Sequence, residues 1–455
     1  MFSIMRRAAF RTLAGTTLFG LTAPLAAQTF RAPTTETYTL DNGLRVILAE
    51  DHAAQVVTVN VWYDVGARNE RPGRTGFAHL FEHMMFQGSA HVAKGDHLSL
   101  VQRSGGTLNA STAEDRTNYF QSLPSNRVNL GLWLEAERMR SLRVTKEHFE
   151  NQRETVKEER RLRIDNQPYM GAYYSAIAGV FDPARCFAYA HETIGSMDDL
   201  NAAALDDVID FHRTYYRPNN ATLVVTGDFE PAQIKRLITQ YFADIPRGPA
   251  PPPVSCDQPF HSGQQRRNIT DAKASLPAVL ILWRLPGYAH ADWPALNLLS
   301  VMMGQGASSR LNRAVVRDAR AAVATQAFAG IGAPRRGPNI FGTLAVANQG
   351  VAADSLETML QREVERVRTS GVLADELEKA KNAHRAAQFA QLETSMGRAE
   401  ALHVAQLFLG DAKALQRDVD RYSAVTLADI QRVAATWLTS ANSTIVTITP
   451  ETRRP

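Results

Sequence analysis

Residues 205–226 read LDDVIDFHRTYYRPNNATLVVT, and they align without a gap on residues 427–448, which read LADIQRVAATWLTSANSTIVTI. Both copies have the pattern of a helix, a short turn at an asparagine and a strand rich in β-branched residues. The identical aligned pairs are Leu205/Leu427, Asp207/Asp429, Thr214/Thr436, Asn220/Asn442, Thr222/Thr444 and Val224/Val446. The sequence therefore predicts an internal duplication, in which each half is an α+β unit with a sheet backed by helices.

A proline-rich stretch lies between the two copies. Residues 246–253 read PRGPAPPP, a composition typical of a stiff, extended linker that cannot form a helix. The chain is long enough for two domains of about 200 residues each. We therefore predict an N-terminal domain over residues 33–245, a linker over 246–266 and a homologous C-terminal domain over 267–450.

The first half contains the sequence HLFEH at residues 79–83. In a helix over residues 75–86, His79 and His83 lie one turn apart on one face and can bind a single metal ion through neutral ring nitrogens. Glu82 lies beside the metal and can take a proton from a water molecule there. The helix is otherwise apolar on nearly every side, so a metal would satisfy polar groups that are buried.

A catalytic zinc needs a third protein ligand and an open position. A charged segment of helical periodicity begins at Thr145, which suits a helix N-cap. Its glutamates are Glu147, Glu150, Glu154, Glu158 and Glu159. Glu159 continues an inward stripe that starts at Phe149, whereas Glu158 shares a solvated face with Arg161. Because Glu158 and Glu159 project about 100° apart, only one of them can face the metal, and the stripe favours Glu159.

These residues resemble those of the pitrilysin, insulysin and mitochondrial processing peptidase family of zinc metallopeptidases. In that family a glutamate ligand follows the H-x-x-E-H helix by some seventy residues, and Glu159 follows His83 by 76 residues. The resemblance implies two homologous domains, each with a mainly antiparallel sheet backed by helices. It also implies one zinc ion per chain, bound by His79, His83 and Glu159, with Glu82 as the catalytic base. Manganese or cobalt would suit the same ligands.

The family often carries a second glutamate seven positions before the ligand, in a supporting role. This chain has Gln152 at that position. The residues that surround the metal ligands therefore differ from the family pattern, and we expect a different tuning of the metal.

Residues 105–112 read GGTLNAST and resemble the family's G-G-x-x-N-A strand, which in relatives lies at the edge of the active-site sheet and pairs with the substrate backbone. An edge strand accepts an extended peptide through its main-chain groups. The resemblance implies that Asn109, Ala110 and Ser111 contact the substrate, with a further hydrogen bond from the Asn109 side chain. The alternative is an ordinary strand that follows a Gly-Gly turn.

The second half has no H-x-x-E-H sequence, and residues 295–303 read as a plain core helix. Residues 304–311 resemble the family's glycine-rich turn. Active relatives also supply an arginine and, seven residues later, a tyrosine from this half to the substrate. The aligned residues here are Arg317 and Ala324. The resemblance thus implies one site, in the first half, and a dimer in which a related subunit supplies the arginine and tyrosine.

The first 27 residues read as a signal peptide, with three arginines, a short apolar stretch and a small-residue end at Ala27. We therefore expect an exported protein, periplasmic or secreted. That apolar stretch is too short to span a bilayer, and no later stretch is long and apolar enough, so we expect no stable membrane insertion.

The charge balance argues against partners that bind proteins through a strongly basic surface. The whole chain has 50 basic and 46 acidic residues, and the leader carries three of the basic ones and none of the acidic ones. The remainder is nearly neutral, which gives no electrostatic case for nucleic-acid or membrane-surface binding.

The chain has two cysteines, Cys186 and Cys256. An exported protein can form a disulfide between them. Two free thiols are at least as compatible with the sequence, which does not show that the two residues meet.

From these features we predict a zinc-dependent endopeptidase that cleaves short or unfolded peptides, because a folded protein could hardly enter an enclosed site. Two alternatives stay open. One is a non-catalytic subunit that uses the same fold for assembly or peptide binding. The other is a metal-dependent hydrolase or lyase of small molecules on a related fold.

Overall fold

A computed structural model describes residues 30–451, and the predicted signal peptide over residues 1–27 lies outside the described residues. The strands of the first half are β1 (Glu36–Thr39), β2 (Arg45–Glu50), β3 (Val56–Tyr63), β4 (Thr107–Thr112), β5 (Thr117–Pro124) and β6 (Ala221–Gly227). Its helices are α1 (Phe77–Met84), α2 (Asp96–Arg103), α3 (Val128–Ser141), α4 (Lys146–Arg160), α5 (Met170–Ala178), α6 (Pro183–Cys186), α7 (Met197–Ala202), α8 (Leu205–Tyr215) and α9 (Pro231–Phe242).

The second half has the strands β7 (Gln265–Asp271), β8 (Ala278–Leu285), β9 (Ala322–Ala329), β10 (Asn339–Ala347) and β11 (Ser443–Pro450). Its helices are α10 (Trp293–Gly304), α11 (Ala353–Ser370), α12 (Ala374–Leu392), α13 (Ser395–Leu409), α14 (Ala414–Ser423) and α15 (Leu427–Trp437). Two π-helical segments, Arg161–Asp165 and Asn312–Asp318, follow α4 and α10 in the chain.

Each half has its own sheet, and the two sheets have the same local topology. The strand order is β1-β2-β6-β3-β5-β4 in the first and β7-β11-β8-β10-β9 in the second. The duplicated strands β6 and β11 each lie between a parallel neighbour and an antiparallel one. All other pairings in the two sheets are antiparallel. The predicted duplication and the predicted mainly antiparallel α+β fold are therefore confirmed.

The asparagine shared by the two copies has the same structural role in each half. Asn220 donates its side-chain amide to the carbonyl of Tyr215, at the end of α8, at 2.9 Å, and to the carbonyl of Asp64 at 3.2 Å. Asn442 donates to the carbonyl of Trp437, at the end of α15, at 2.7 Å, and to that of Arg284 at 2.8 Å. A buried amide thus joins the end of a helix to a neighbouring strand or its end, which explains why both copies keep asparagine there.

The two halves cover one another's sheets. Helix α13 of the second half lies against β3 and β6 of the first sheet, where the His403 ring stacks on Trp62 at 4.7 Å between ring centroids. In return, α5 of the first half contributes Ala176 and Ile177 to the apolar cluster on the second sheet. Because each half buries apolar surface of the other, the hydrophobic effect holds the halves together.

The structure joins the two cysteines, which the sequence left undecided. Cys186 and Cys256 form a disulfide with a Cα–Cα distance of 4.1 Å, so the alternative of two free thiols is wrong in this structure. The bond ties the proline-rich segment to α6. Residues 246–264 form neither helix nor strand, while the predicted domain boundaries stay a prediction.

Within residues 30–451, no helix has the length and apolar character that crossing a membrane requires.

Candidate metal centre

Helix α1 carries the two histidines, and its start is fixed by a buried carboxylate. Gly76 precedes the helix in a left-handed conformation, with φ of 86°. Glu70 accepts hydrogen bonds from the main-chain amides of Gly76 and Ala78, each at 2.8 Å. These amides are among those that a helix start leaves unsatisfied, so Glu70 caps the helix. The helix is shorter than the predicted span of residues 75–86, but its buried apolar faces agree with the prediction.

His79, His83 and Glu159 lie together, with ligand atoms all within 4.8 Å of one another. Glu159 Oε2 is 3.2 Å from His83 Nε2 and 3.7 Å from His79 Nε2. Burial, with a smaller contribution from His83, lowers the pKa of His79 to about 4, so its ring is neutral at physiological pH. Two neutral imidazoles and one carboxylate are the donor set that zinc accepts in catalytic sites. The residues therefore fit such a metal ion.

Helix α4 presents Glu159 as the periodicity predicts. The Thr145 hydroxyl accepts a hydrogen bond from the amide of His148 and caps the helix. Phe149 and Val156 are buried on the same stripe. The Glu159 side chain is 17% exposed, whereas Glu158 is 57% exposed and pairs with an arginine on the surface. The structure thus brings Glu159, and not its neighbour, to the histidines.

Glu82 lies on α1 beside the cluster and has a specific hydrogen-bond partner. The Thr112 hydroxyl donates to Glu82 Oε2 at 2.6 Å. Burial raises the pKa of Glu82, and the Thr112 hydrogen bond opposes that rise. Thr112 is the last residue of β4, so the predicted base is linked directly to the predicted substrate strand. Sequence reasoning assigned Thr112 no separate role, because only the folded sheet places it against α1.

A second residue that sequence reasoning missed is Arg163. Its Nη1 atom lies 2.8 Å from Glu159 Oε1, the oxygen that does not face the histidines. Arg163 belongs to the π-helical segment that follows α4, and such segments often occur at functional sites. The hydrogen bond from His83 lowers the pKa of Glu159, with burial acting against it and nearby positive charges reinforcing it. The carboxylate is therefore ionised and oriented.

Gln152 does not take the place of the missing supporting glutamate by any direct contact with the cluster. It is buried on the α4 stripe, and its side-chain amide donates to Asn151 at 2.7 Å. His79 Nδ1 is buried without a hydrogen-bond partner in the described structure. A metal-binding histidine usually donates a hydrogen bond from its other ring nitrogen to a group that orients the ring, and His79 Nδ1 has no such partner here.

Strand β4 is an edge strand, as the resemblance implied, because it pairs with β5 alone at one end of the sheet. Asn109 is exposed, and its side-chain oxygen accepts a hydrogen bond from the amide of Ala110 at 2.9 Å. The Ser111 hydroxyl donates to Asn118 at 2.7 Å and accepts from Arg116 at 2.6 Å. The Asn109 side-chain oxygen and the Ser111 hydroxyl already have partners, so a peptide would rely on the main chain of β4 and on the side-chain amide of Asn109.

Arg317 is not brought to the cluster of His79, His83 and Glu159 in this chain. It is an exposed residue of the second π-helical segment, and Ala324 is exposed on β9, an edge strand of the second sheet. The role of Arg317 in substrate binding stays a prediction.

A cavity of about 230 Å³ adjoins the cluster. His79, Glu159 and Thr112 line it from the first half, and Ile331 and Arg335 line it from the second. The second half therefore contributes to the site through a segment that the sequence did not single out.

The fold and the cluster define a duplicated α+β protein with an inverted H-x-x-E-H site on one half. Comparison with known proteins agrees with this class. Residues 45–169 match the family described as Insulinase (Peptidase family M16), and residues 202–383 match the Peptidase M16 inactive domain. A zinc protease, PqqE, from Helicobacter pylori is 31% identical over 442 residues, which cover 96% of this chain and 98% of that protein. The chain belongs to peptidase family M16.

Two further comparisons show which kinds of protein this chain resembles. The crystal structure of a protease from Helicobacter pylori has a TM-score of 0.86 and 30% identity, and the match covers 92% of this chain and 100% of that chain. The core protein I of the mitochondrial ubiquinol-cytochrome-c reductase complex of Euglena gracilis is 26% identical over 442 residues, 90% of this chain and 87% of that protein. The similar proteins thus include both named proteases and a named subunit of a respiratory complex.

Proposed function

We propose that this chain is a zinc-dependent endopeptidase that hydrolyses peptide bonds in short or unfolded polypeptides. The observation that carries the proposal is the cluster of His79, His83 and Glu159, with Glu82 beside it on the same helix. These three ligands would hold one zinc ion. Zinc in such a site polarises a carbonyl group and makes water nucleophilic at neutral pH.

The proposed base is Glu82. Its carboxylate accepts a proton from the attacking water and then delivers it to the amine that leaves. Burial raises the pKa of Glu82, which suits a group that must both accept and release a proton near neutral pH. Thr112 orients the carboxylate through its 2.6 Å hydrogen bond.

The proposed substrate is an extended peptide that adds to the free edge of β4. Such pairing uses main-chain hydrogen bonds and demands little of the side chains. The end of β4 at Thr112 adjoins the cavity beside the metal ligands, so a peptide on this strand would reach the proposed base. Unfolded or short chains are the proposed substrates because only they present an extended main chain.

Assembly without catalysis is the second candidate, since a relative of similar length is named as a core protein of a respiratory complex. The complete set of His79, Glu82, His83 and Glu159 favours catalysis, because a scaffold has no need of all four. We also propose that the chain is exported, on the basis of its predicted signal peptide, and that it acts as a dimer. A related subunit would supply the arginine and tyrosine for which this chain has Arg317 and Ala324.

The test is cleavage of a quenched fluorescent unstructured peptide by the purified chain, alone and with a related family subunit, at matched zinc content. We expect cleavage that a chelator abolishes and added zinc restores. The zinc-loaded Glu82→Gln protein should bind the peptide but lose about 10²–10⁴-fold in turnover. Full activity of that variant would remove Glu82 as the base. Absence of cleavage in every mixture, with zinc bound, would favour the assembly role.

A further inference from the structure

The loop between β9 and β10, residues 330–338, reaches from the second half to the first. Arg336 Nη1 lies 2.8 Å from both carboxylate oxygens of Asp64. The main-chain amide of Arg336 donates to Asp115 at 3.2 Å, and that of Gly337 donates to the Tyr189 hydroxyl at 3.0 Å. The loop is therefore anchored on the first half at several points, which fixes the position of the residue before Arg336.

That residue, Arg335, is 2% exposed, and it lines the same cavity as His79 and Glu159. Its Nη2 atom lies 2.5 Å from Glu114 Oε1, and its guanidinium carbon lies 5.5 Å from the centre of the Tyr189 ring. Its other two nitrogens, Nε and Nη1, have no hydrogen-bond acceptor and are covered by protein atoms, so a ligand in the cavity reaches them only when the guanidinium turns toward it. Among the arginines in residues 30–451, it alone has two buried side-chain nitrogens in this condition.

A guanidinium keeps its charge at every physiological pH. Buried donors without acceptors are costly, and more so when they carry charge. Such a group in a cavity is suited to an anionic partner that completes its hydrogen bonds. A carboxylate forms the strong, charge-assisted hydrogen bonds that arginine prefers.

The carboxylates around the cavity leave Nε and Nη1 of Arg335 without an acceptor. Glu114 engages only the Nη2 atom of Arg335. Glu192 accepts from Arg160 at 2.6 Å, and Glu159 lies between Arg163 and the histidines. Apart from His79 Nδ1, the buried side-chain atoms without a hydrogen-bond partner among the residues that line the cavity are thus those of Arg335.

The remaining walls indicate the size and nature of the ligand. Apolar side chains cover much of the cavity, among them Ile164, Ile177, Ile194 and Ile331. Its volume of about 230 Å³ is below the roughly 300–1,000 Å³ typical of pockets for drug-sized ligands. A space of this kind is suited to one residue of a peptide, with an aliphatic stem against the isoleucines and a charged end at Arg335.

We propose that Arg335 binds a carboxylate of the peptide substrate at a residue next to the scissile bond, and so determines specificity. This inference rests on the proposed peptidase function and adds the substrate class to it. The carboxylate has two sources, the side chain of a glutamate or aspartate and the free C-terminus of a short peptide. Either one places its negative charge in the cavity beside the metal ligands.

The experiment compares quenched peptides that differ only in one carboxylate. One pair has glutamate or glutamine at the positions that flank the cleaved bond, and a second pair ends in a free acid or an amide. For the wild type we expect kcat/KM to be at least about tenfold higher for the carboxylate-bearing member of one pair, as a charge-assisted hydrogen bond implies. The pair that shows the preference identifies the source.

The variants are Arg335→Gln and Arg335→Lys, with Arg398→Gln as the matched control. Arg398 also joins the two halves, through an ion pair with Asp51 at 2.7 Å, but it does not line the cavity. We expect Arg335→Gln to lose the preference while it still cleaves the neutral peptides, Arg335→Lys to keep part of it, and Arg398→Gln to keep all of it. A general loss of folding would lower cleavage of both members of each pair, which separates a structural effect from a loss of recognition.

The proposal is overturned if the wild type cleaves both members of each pair equally, or if Arg335→Gln keeps the preference. If no peptide is cleaved, the peptidase proposal fails by itself, and binding then decides the role of Arg335. Fluorescence anisotropy of labelled peptides on the zinc-loaded Glu82→Gln protein measures that binding. The inference is supported if the carboxylate-bearing peptide binds more tightly than its neutral partner and if this difference disappears when Arg335→Gln is combined with Glu82→Gln. It is overturned if the two peptides bind with equal affinity.

Discussion

The Nε2 atom of His191 lies 3.1 Å from Oε2 of Glu70, the carboxylate that caps the helix carrying His79 and His83. The same ring nitrogen lies 3.0 Å from the carbonyl of Ala67, and Nδ1 lies 2.8 Å from the carbonyl of Phe187. Because oxygen acceptors surround both nitrogens, the ring is best satisfied when both are protonated. Glu70 and His191 then form a buried ion pair beneath α1. Burial raises the pKa of Glu70, and the hydrogen bond from His191 opposes that rise, so the ionised state of the cap depends on His191.

This pair predicts a pH dependence of stability. Burial by itself would lower the pKa of His191, but the hydrogen bond and charge of Glu70, with the two carbonyls, raise it overall above 6.5. A group whose pKa is raised on folding stabilises the fold fully below its unfolded pKa, and this contribution is lost as the pH rises through the folded pKa. We therefore expect the free energy of unfolding to fall as the pH rises above about 6.5.

Urea unfolding of the metal-free protein at a series of pH values measures this effect, with His191→Gln as the comparison. The variant should lack the decline that the ion pair causes. Glu70→Ala should cost about 3–5 kcal/mol, because it leaves a buried charge without its partner. Equal pH profiles for the wild type and His191→Gln would show that the ring is neutral in the folded protein.

The two adjacent glutamates of α4 provide a matched pair for the metal site. Glu159→Gln removes the carboxylate that faces His79 and His83, so zinc affinity should fall by more than about 100-fold. Even the loss of a residue that only hydrogen-bonds to a metal ligand lowers metal affinity by about 10–100-fold. Glu158→Gln removes an equal charge from the exposed side of the same helix and should leave affinity unchanged. Competition with a chromophoric chelator measures both. Similar affinities for the two variants would contradict the assigned ligand.

Thr112→Val tests the link between the proposed substrate strand and the proposed base. Valine keeps the shape of threonine but cannot donate the hydrogen bond that opposes the rise in the pKa of Glu82. That pKa should therefore rise further, and the acid limb of the pH profile of kcat/KM should move to higher pH, because the base must be deprotonated to act. Ser111→Ala, on the same strand, is the control and should leave the limb in place. An unmoved limb in Thr112→Val would mean that another group governs it.

The sequence predicted those parts of the site that depend on local periodicity. The histidines lie four residues apart on one helix, and Glu159 lies on a stripe of a second helix, so spacing alone placed both sets of side chains. Thr112 and Arg335 could not be found in this way. Arg335 meets Glu114 across 221 residues of sequence, and no residue near it signals a site. The disulfide was undecided for the same reason, since its cysteines are 70 residues apart in segments without a regular pattern.

The duplicated asparagines offer a prediction about the fold itself. Asn220 and Asn442 are both buried and donate the same two hydrogen bonds, to the end of the preceding helix and to a neighbouring strand or its end. Replacing either with alanine leaves two main-chain carbonyls without these donors, at a cost of roughly 1–3 kcal/mol. If the halves are equivalent, Asn220→Ala and Asn442→Ala should lower the free energy of unfolding by similar amounts in urea denaturation.

The same two variants also distinguish the halves by function. Asn220 lies in the half that carries the candidate metal ligands, directly before β6, the strand next to β3, whereas Asn442 lies in the other half. Zinc affinity should be unchanged in Asn442→Ala, and also in Asn220→Ala as long as the protein is folded, because the side-chain amides of both asparagines donate to residues outside α1 and α4. Asn219→Ala, next to Asn220 but half-buried and hydrogen-bonded only to Gly248 and Pro249, is the control for both measurements. A cost in only one half would mean that the two copies have diverged in how they stabilise the join between helix and strand.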